Sequence, residues 1–201
     1  MHWTRRIAKG AGDTGFFRSP VSWIALLMLG LHLAGLRDPL LLRSDQPFSA
    51  EQWRLVSAHF VHWSDWHLVM NLGGLAIWPL LCEARWPLSR WLLVLLVLSL
   101  SVSGGILVLA PDINRYAGFS GVLHGLFLLG LLPQARAGDR IAAGCLLYLV
   151  GKIVVETFSG PLFADPERVG AAIAHQAHLA GALGAAGLLG LDALRRRMAR
   201  G

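Results

Sequence analysis

The sequence predicts an all-α membrane protein, a bundle of six transmembrane helices, and three observations carry that expectation. Hydrophobic residues make up 55% of the 201 and charged residues only 15%, with a mean hydropathy of +0.54. An ordinary soluble domain carries about 25% charged residues. Six apolar runs stand at about 20–36, 68–82, 91–110, 119–132, 141–158 and 169–191. The basic residues, finally, divide unevenly between the two sides that six crossings would define.

That division is the positive-inside pattern. With a cytoplasmic N-terminus, the inner segments hold Arg5, Arg6, Lys9, Arg18, Arg85, Arg90, Arg136, Arg140, Arg195, Arg196, Arg197 and Arg200. The outer segments hold Arg37, Arg43, Arg54, Arg115 and Arg168, and Lys152 falls within a span. The net charge of +6 therefore reports topology and attraction to anionic lipid rather than nucleic-acid binding. The partner implied is the lipid bilayer, and both termini are expected in the cytoplasm.

Residues 1–19 read as a basic cytoplasmic tail of a single domain, 1–201, that ends in a second basic tail at 192–201. A bilayer core of roughly 30 Å takes about 20 apolar residues in a helix. The longer runs are full spans, and the first, second and fourth are spans with interfacial ends. The first run follows basic residues as a signal peptide would, but an even number of crossings with both basic tails inside requires it to be retained. Span one ends near Gly35, and residues 37–66 form the longest polar segment, with Trp53, Trp63 and Trp66 suited to the lipid–water boundary. Pro79 lies within span two and is expected to bend or end it. Pro87, Pro111 and Pro133 follow spans two, three and four, where a helix cannot readily continue. Cys82 and Cys145 fall near cytoplasmic helix ends, without a C-x-x-C signature, and read as reduced thiols.

Polar groups inside spans are rare and mark function by default. Here they are Ser120 and His124 in span four, Lys152 and Glu156 in span five, and His175 and His178 in span six, with His67 and Asn71 opening span two. Gly118, Gly121 and Gly125 surround Ser120, and Gly181, Gly184 and Gly187 follow His178, so two smooth helices could approach closely. If they do, an imidazole meets the Ser120 hydroxyl; otherwise the serine bonds to its own backbone and the histidine to a neighbouring carbonyl. His67 and Asn71 share a helical face, as do Lys152 and Glu156, whose spacing predicts an ion pair. His59 and His62 read as loop or interface residues. The histidines near span two lack a cysteine or carboxylate at ligand spacing, and H-E-x-x-H is absent, so no metal and no cofactor are expected.

Three motifs occur in order: His67-Leu68-Val69-Met70-Asn71, Gly118-Phe119-Ser120-Gly121 and Ala177-His178-Leu179-Ala180-Gly181. Together they resemble a rhomboid intramembrane serine protease across nearly the whole chain. Trp53-Arg54 in the first outer loop and Glu83-Ala84-Arg85 after span two also resemble family features. The resemblance implies a rhomboid-like bundle in which Ser120 is the nucleophile and His178 the general base. It supplies no acidic third member, because no carboxylate lies near His178 in sequence. The Ser120 N–H with the side chains of His67 and Asn71 would form the oxyanion site, with Gly118 and Gly121 supporting.

The family usually has tyrosine four residues after the nucleophile. Here His124 stands there, and Ser-Gly-x-Leu-His-Gly with Lys152-x-x-x-Glu156 resembles the rhombosortase subgroup. That implies transmembrane-tailed protein substrates at a bacterial inner membrane. Their C-terminal tails would carry a Gly-Gly motif, a membrane segment and a basic end. His124 would orient His178 in place of the tyrosine, though it shares a face with Ser120 and is itself a rival base. Lys152 and Glu156 would either fix helix packing or recognise the substrate's polar motif. A catalytically inactive client-binding relative and a small transporter are the competing functions.

Overall fold

The computed structural model describes residues 19–45, 50–162 and 165–199. Of the basic N-terminal tail read at 1–19, residues 1–18 lie outside the described residues, as does Arg200. Among them, six long helices form: α1 Pro20–Leu33, α2 Asp65–Leu81, α3 Leu88–Leu109, α4 Ser120–Arg136, α5 Arg140–Ser159 and α6 Gln176–Met198. Three of these, α3, α5 and α6, are long and apolar enough to cross a membrane. Their outer faces carry large exposed apolar side chains such as Leu92, Val108, Leu147, Phe158 and Leu183. An apolar surface of that extent is at home in hydrocarbon.

The boundaries follow local chemistry. Ser64 caps α2, its hydroxyl accepting from the His67 N–H at 3.1 Å, and Asp139 caps α5 through the N–H groups of Ile141 and Ala142. Pro87 precedes α3 as its cap residue, and Pro79 is followed by only two more helical residues. Pro133 behaves otherwise than expected: α4 runs through it to Arg136. A proline there forfeits one backbone bond in the last turn, and Gln134 then ties the end of α4 to α2 by donating to the Leu81 carbonyl at 2.9 Å. The sixth helix also departs from the hydropathy reading. It begins at Gln176 rather than near 169, because Gly170 in a left-handed turn ends a one-turn helix at Pro166–Val169.

α4 is the central helix, packed on α2, α3, α5 and α6. Its closest neighbour is α6. A Cβ on Gly181 would collide with the carbonyl of Gly121, and a Cβ on Gly125 would come within 2.7 Å of the Gly181 carbonyl. Backbone therefore lies on backbone, as small residues permit. Gly181→Ala should force the two helices apart, and overpacking of this kind costs about 1–3 kcal/mol. The check is a lowered midpoint of thermal unfolding in detergent.

The segment between α1 and α2 is a folded platform. Arg54 is buried, donating to the Leu41 carbonyl at 2.9 Å, the Asp38 carbonyl at 3.0 Å and Glu51 at 2.8 Å. One guanidinium thereby joins the 38–41 stretch to the turn at Glu51, and it holds the Glu51 carboxyl below its usual range. Trp53 beside it stays half exposed. His59 and His62 are likewise buried rather than interfacial. His59 sits by the Ser103 hydroxyl at 3.1 Å and the Leu55 carbonyl at 3.2 Å. Burial pushes His59 down to about 4 and His62 to about 3, so both rings stay neutral. Leu42–Arg43 pairs antiparallel with Arg115–Tyr116, Leu42 opposite Tyr116, which ties the platform to the chain entering α4.

Candidate active site

Ser120 owes its position to the turn before it. Gly118 has φ +134, a conformation open to glycine, and a Cβ there would strike the His67 ring at 2.6 Å. The Gly118 N–H donates to the Ala58 carbonyl at 3.0 Å, and the Tyr116 hydroxyl donates to the Gly118 carbonyl at 3.0 Å. Phe119 is fully buried, its ring tilted against Phe60 at 5.7 Å. The platform thus grips the chain on both sides of the turn, and Ser120 emerges as the first residue of α4. The opening N–H groups of a helix have no intrahelical acceptor, and the macrodipole adds partial positive charge there.

The close contact of α4 and α6 brings His178, in the first turn of α6, to this serine. His178 Nε2 lies 3.1 Å from Ser120 Oγ. On its other side, Nδ1 lies 2.7 Å from Glu156 Oε2. A carboxylate only accepts, so Nδ1 carries the hydrogen and Nε2 is left to accept from the hydroxyl. Serine, imidazole and carboxylate therefore stand in series, on α4, α6 and α5. The acidic member is the one that sequence reasoning missed. Its signal was a carboxylate within a span, read instead as half of an ion pair with Lys152.

That ion pair is present as well, Lys152 Nζ standing 2.7 Å from Glu156 Oε1. The Leu162 N–H also donates to Oε1, at 3.2 Å. Glu156, 1% exposed, thus spends one oxygen on Lys152 and the loop after α5 and the other on His178.

His124 completes the cluster. Its ring is stacked on His178, centroids 3.9 Å apart and planes 13° from parallel. Its Nδ1–H donates to the Ser120 carbonyl at 2.8 Å, so Nε2 accepts from Lys152 Nζ at 3.3 Å. Neither nitrogen of His124 addresses the Ser120 hydroxyl. The helix holds residues 120 and 124 in rigid register, and the imidazole bonds back to the main chain rather than to the side chain.

The remaining expected residues divide. His67 lies against Gly118, and His62 meets its ring edge-on at 5.0 Å. Asn71 is buried, and its amide donates to the His67 carbonyl at 2.9 Å, leaving a second N–H. His175, expected within span six, is the cap residue before α6 rather than part of the helix.

His124, Glu156 and His178 bring ligand atoms within 4.8 Å of one another, a spacing suited to a metal ion. Lys152 Nζ contacts all three, at 3.3, 2.7 and 3.5 Å. An ammonium already supplies the positive charge at the centre of the group, and a divalent ion would have to displace it. The donor set therefore does not fit a metal while Lys152 is in place.

A family model described as Rhomboid domain matches residues 49–193, more than half of the chain and every residue of this cluster. No curated protein matches the sequence.

Proposed function

Because the chain belongs to the rhomboid family, known for intramembrane serine proteases, we propose that it is a serine endopeptidase that cleaves membrane-anchored proteins with Ser120, His178 and Glu156 acting in series. The observation that carries this reading is the unbroken line from Ser120 Oγ to His178 Nε2 at 3.1 Å and from His178 Nδ1 to Glu156 Oε2 at 2.7 Å. It amends the two-residue arrangement that the resemblance implies.

In this reading Ser120 Oγ attacks the scissile carbonyl carbon as its proton passes to His178 Nε2, and the carbonyl electron pair moves to oxygen. Glu156 holds the ring by Nδ1–H and stabilises the imidazolium that forms. The oxyanion would meet the Ser120 N–H at the start of α4, with the second amide N–H of Asn71 and the His67 ring as the further donors proposed. Collapse breaks the C–N bond, and the leaving amine takes the proton from Nε2. Water then repeats the sequence, its proton passing to Nε2 and on to Ser120 Oγ as the ester breaks.

Six crossings, with both termini cytoplasmic, account for the short helices. At about 1.5 Å per residue the 17 residues of α4 span less than the bilayer core. α4 is enclosed by four other helices, so its N-terminus can start at depth beneath the platform without exposing backbone to lipid. The substrates we propose are exported proteins with a Gly-Gly motif, a transmembrane segment and a basic end, at a bacterial inner membrane. Motif spacing around His124 and the Lys152–Glu156 pair support this subgroup.

The test is co-expression of such a tailed substrate with wild-type protein or Ser120→Ala, followed by intact-mass measurement. Release of a truncated substrate by the wild type alone is expected. If a fluorophosphonate labels Ser120 but the tail survives, the substrate class is wrong. If neither labelling nor cleavage occurs, the protein is an inactive client-binding member.

A further inference from the structure

We propose that Lys152 keeps the base of this site uncharged: by serving as the counter-cation of Glu156, it leaves His178 a neutral imidazole free to accept the Ser120 proton. The inference rests on the proposed roles of Ser120 and His178, and it makes Lys152 a positioning residue that acts through Glu156.

At low dielectric the buried charges of this cluster must balance. A carboxylate that is 1% exposed must be neutralised or protonated. Two groups that can carry a proton touch it, the Lys152 ammonium at Oε1 and the His178 ring at Oε2. One cation balances the site, and a second leaves it with a net charge. Lys152 occupies the first place and stands 3.5 Å from His178 Nδ1, where it opposes a second positive charge. Without Lys152, the neutral combination becomes imidazolium with carboxylate, which removes the lone pair that must take the Ser120 proton.

The other neighbours of His178 do not take over this part. Ser120 and His124 face it from α4, and His124 accepts from Lys152 rather than neutralising Glu156. His67 of α2 and His175 before α6 are within electrostatic reach, and neither touches the carboxylate. The Leu162 N–H on Oε1 is a dipole and carries no net charge.

The test uses full-length protein in lipid with ¹⁵N-labelled histidine, the His178 signals assigned by difference from His178→Asn. Wild type should show a neutral ring protonated at Nδ1 at pH 7. Lys152→Met should show the doubly protonated ring. Fluorophosphonate labelling of Ser120 should fall at least tenfold at pH 7, with its acid limb displaced upward by a unit or more, a size typical of one close opposite charge. Lys152→Arg should restore the neutral ring. The double variant Lys152→Met with Glu156→Gln removes both charges, so it too should show a neutral ring, a recovery that a purely structural role of Lys152 does not predict. A neutral His178 in Lys152→Met with an unmoved pH profile overturns the proposal. Absence of labelling in the wild type would overturn the protease reading instead, because the ring's charge state is read whether or not Ser120 reacts.

Discussion

His178→Ala should reduce cleavage to the background of Ser120→Ala, whereas His124→Ala should keep measurable activity. Removing the histidine of a serine protease costs about 10⁴–10⁶ in turnover, because nothing else is placed to take the hydroxyl proton. The geometry here assigns that loss to one ring. His178 Nε2 addresses Ser120 Oγ, while His124 spends Nδ1 on the Ser120 carbonyl and Nε2 on Lys152. His124 still contributes, since its stacked ring fixes the plane of His178 and its bond steadies the first turn of α4. Loss of orientation alone should cost about 10-fold to 10²-fold, in line with small misplacements at other active sites. Rates measured on one tailed substrate with equal amounts of folded protein decide it. A dead His124→Ala beside a near wild-type His178→Ala would exchange the two roles.

The parts of this site that the sequence made legible are those written in short segments. The motif around Ser120, the Gly121 and Gly181 surfaces, and the i, i+4 pairs at 67 and 71 and at 152 and 156 are each written in short stretches of contiguous chain. Local spacing is enough to read them. Glu156 and His178 are 22 residues apart on helices separated by a turn and a one-turn helix, and no periodicity states that their side chains meet. The interior of the α1–α2 segment was hidden for a related reason. Tryptophans and histidines suggest an interface by composition, but the folding of the segment on Arg54 buries His59 and His62. Hydropathy also overran at span six, since the apolar residues 169–174 continue the run while Gly170 breaks the helix. Pro133 shows the converse, a breaker that tertiary contacts override.

Glu156→Gln should lower turnover by about 10³–10⁴ while leaving the protein folded. The amide is isosteric, so packing around α5 is kept, but it reverses the electrostatics on both sides. In Ser-His-Asp enzymes the acid-to-amide change costs about 10⁴, chiefly by spoiling the tautomer and orientation of the imidazole. Here the amide oxygen can satisfy either His178 Nδ1–H or Lys152 Nζ, which the carboxylate serves with separate oxygens. Turned toward Lys152, the amide presents an NH₂ to Nδ1, and the ring must move its hydrogen to Nε2, where it can no longer accept from Ser120. Turned toward His178, it leaves a buried ammonium facing two donor hydrogens. The stack with His124 survives in either case, which places the expected loss below that of His178→Ala. The separation to measure is between turnover and binding: substrate affinity should hold while turnover falls. If Glu156 serves only to recognise the substrate's polar motif, affinity falls instead and Ser120 keeps its reactivity toward a small fluorophosphonate.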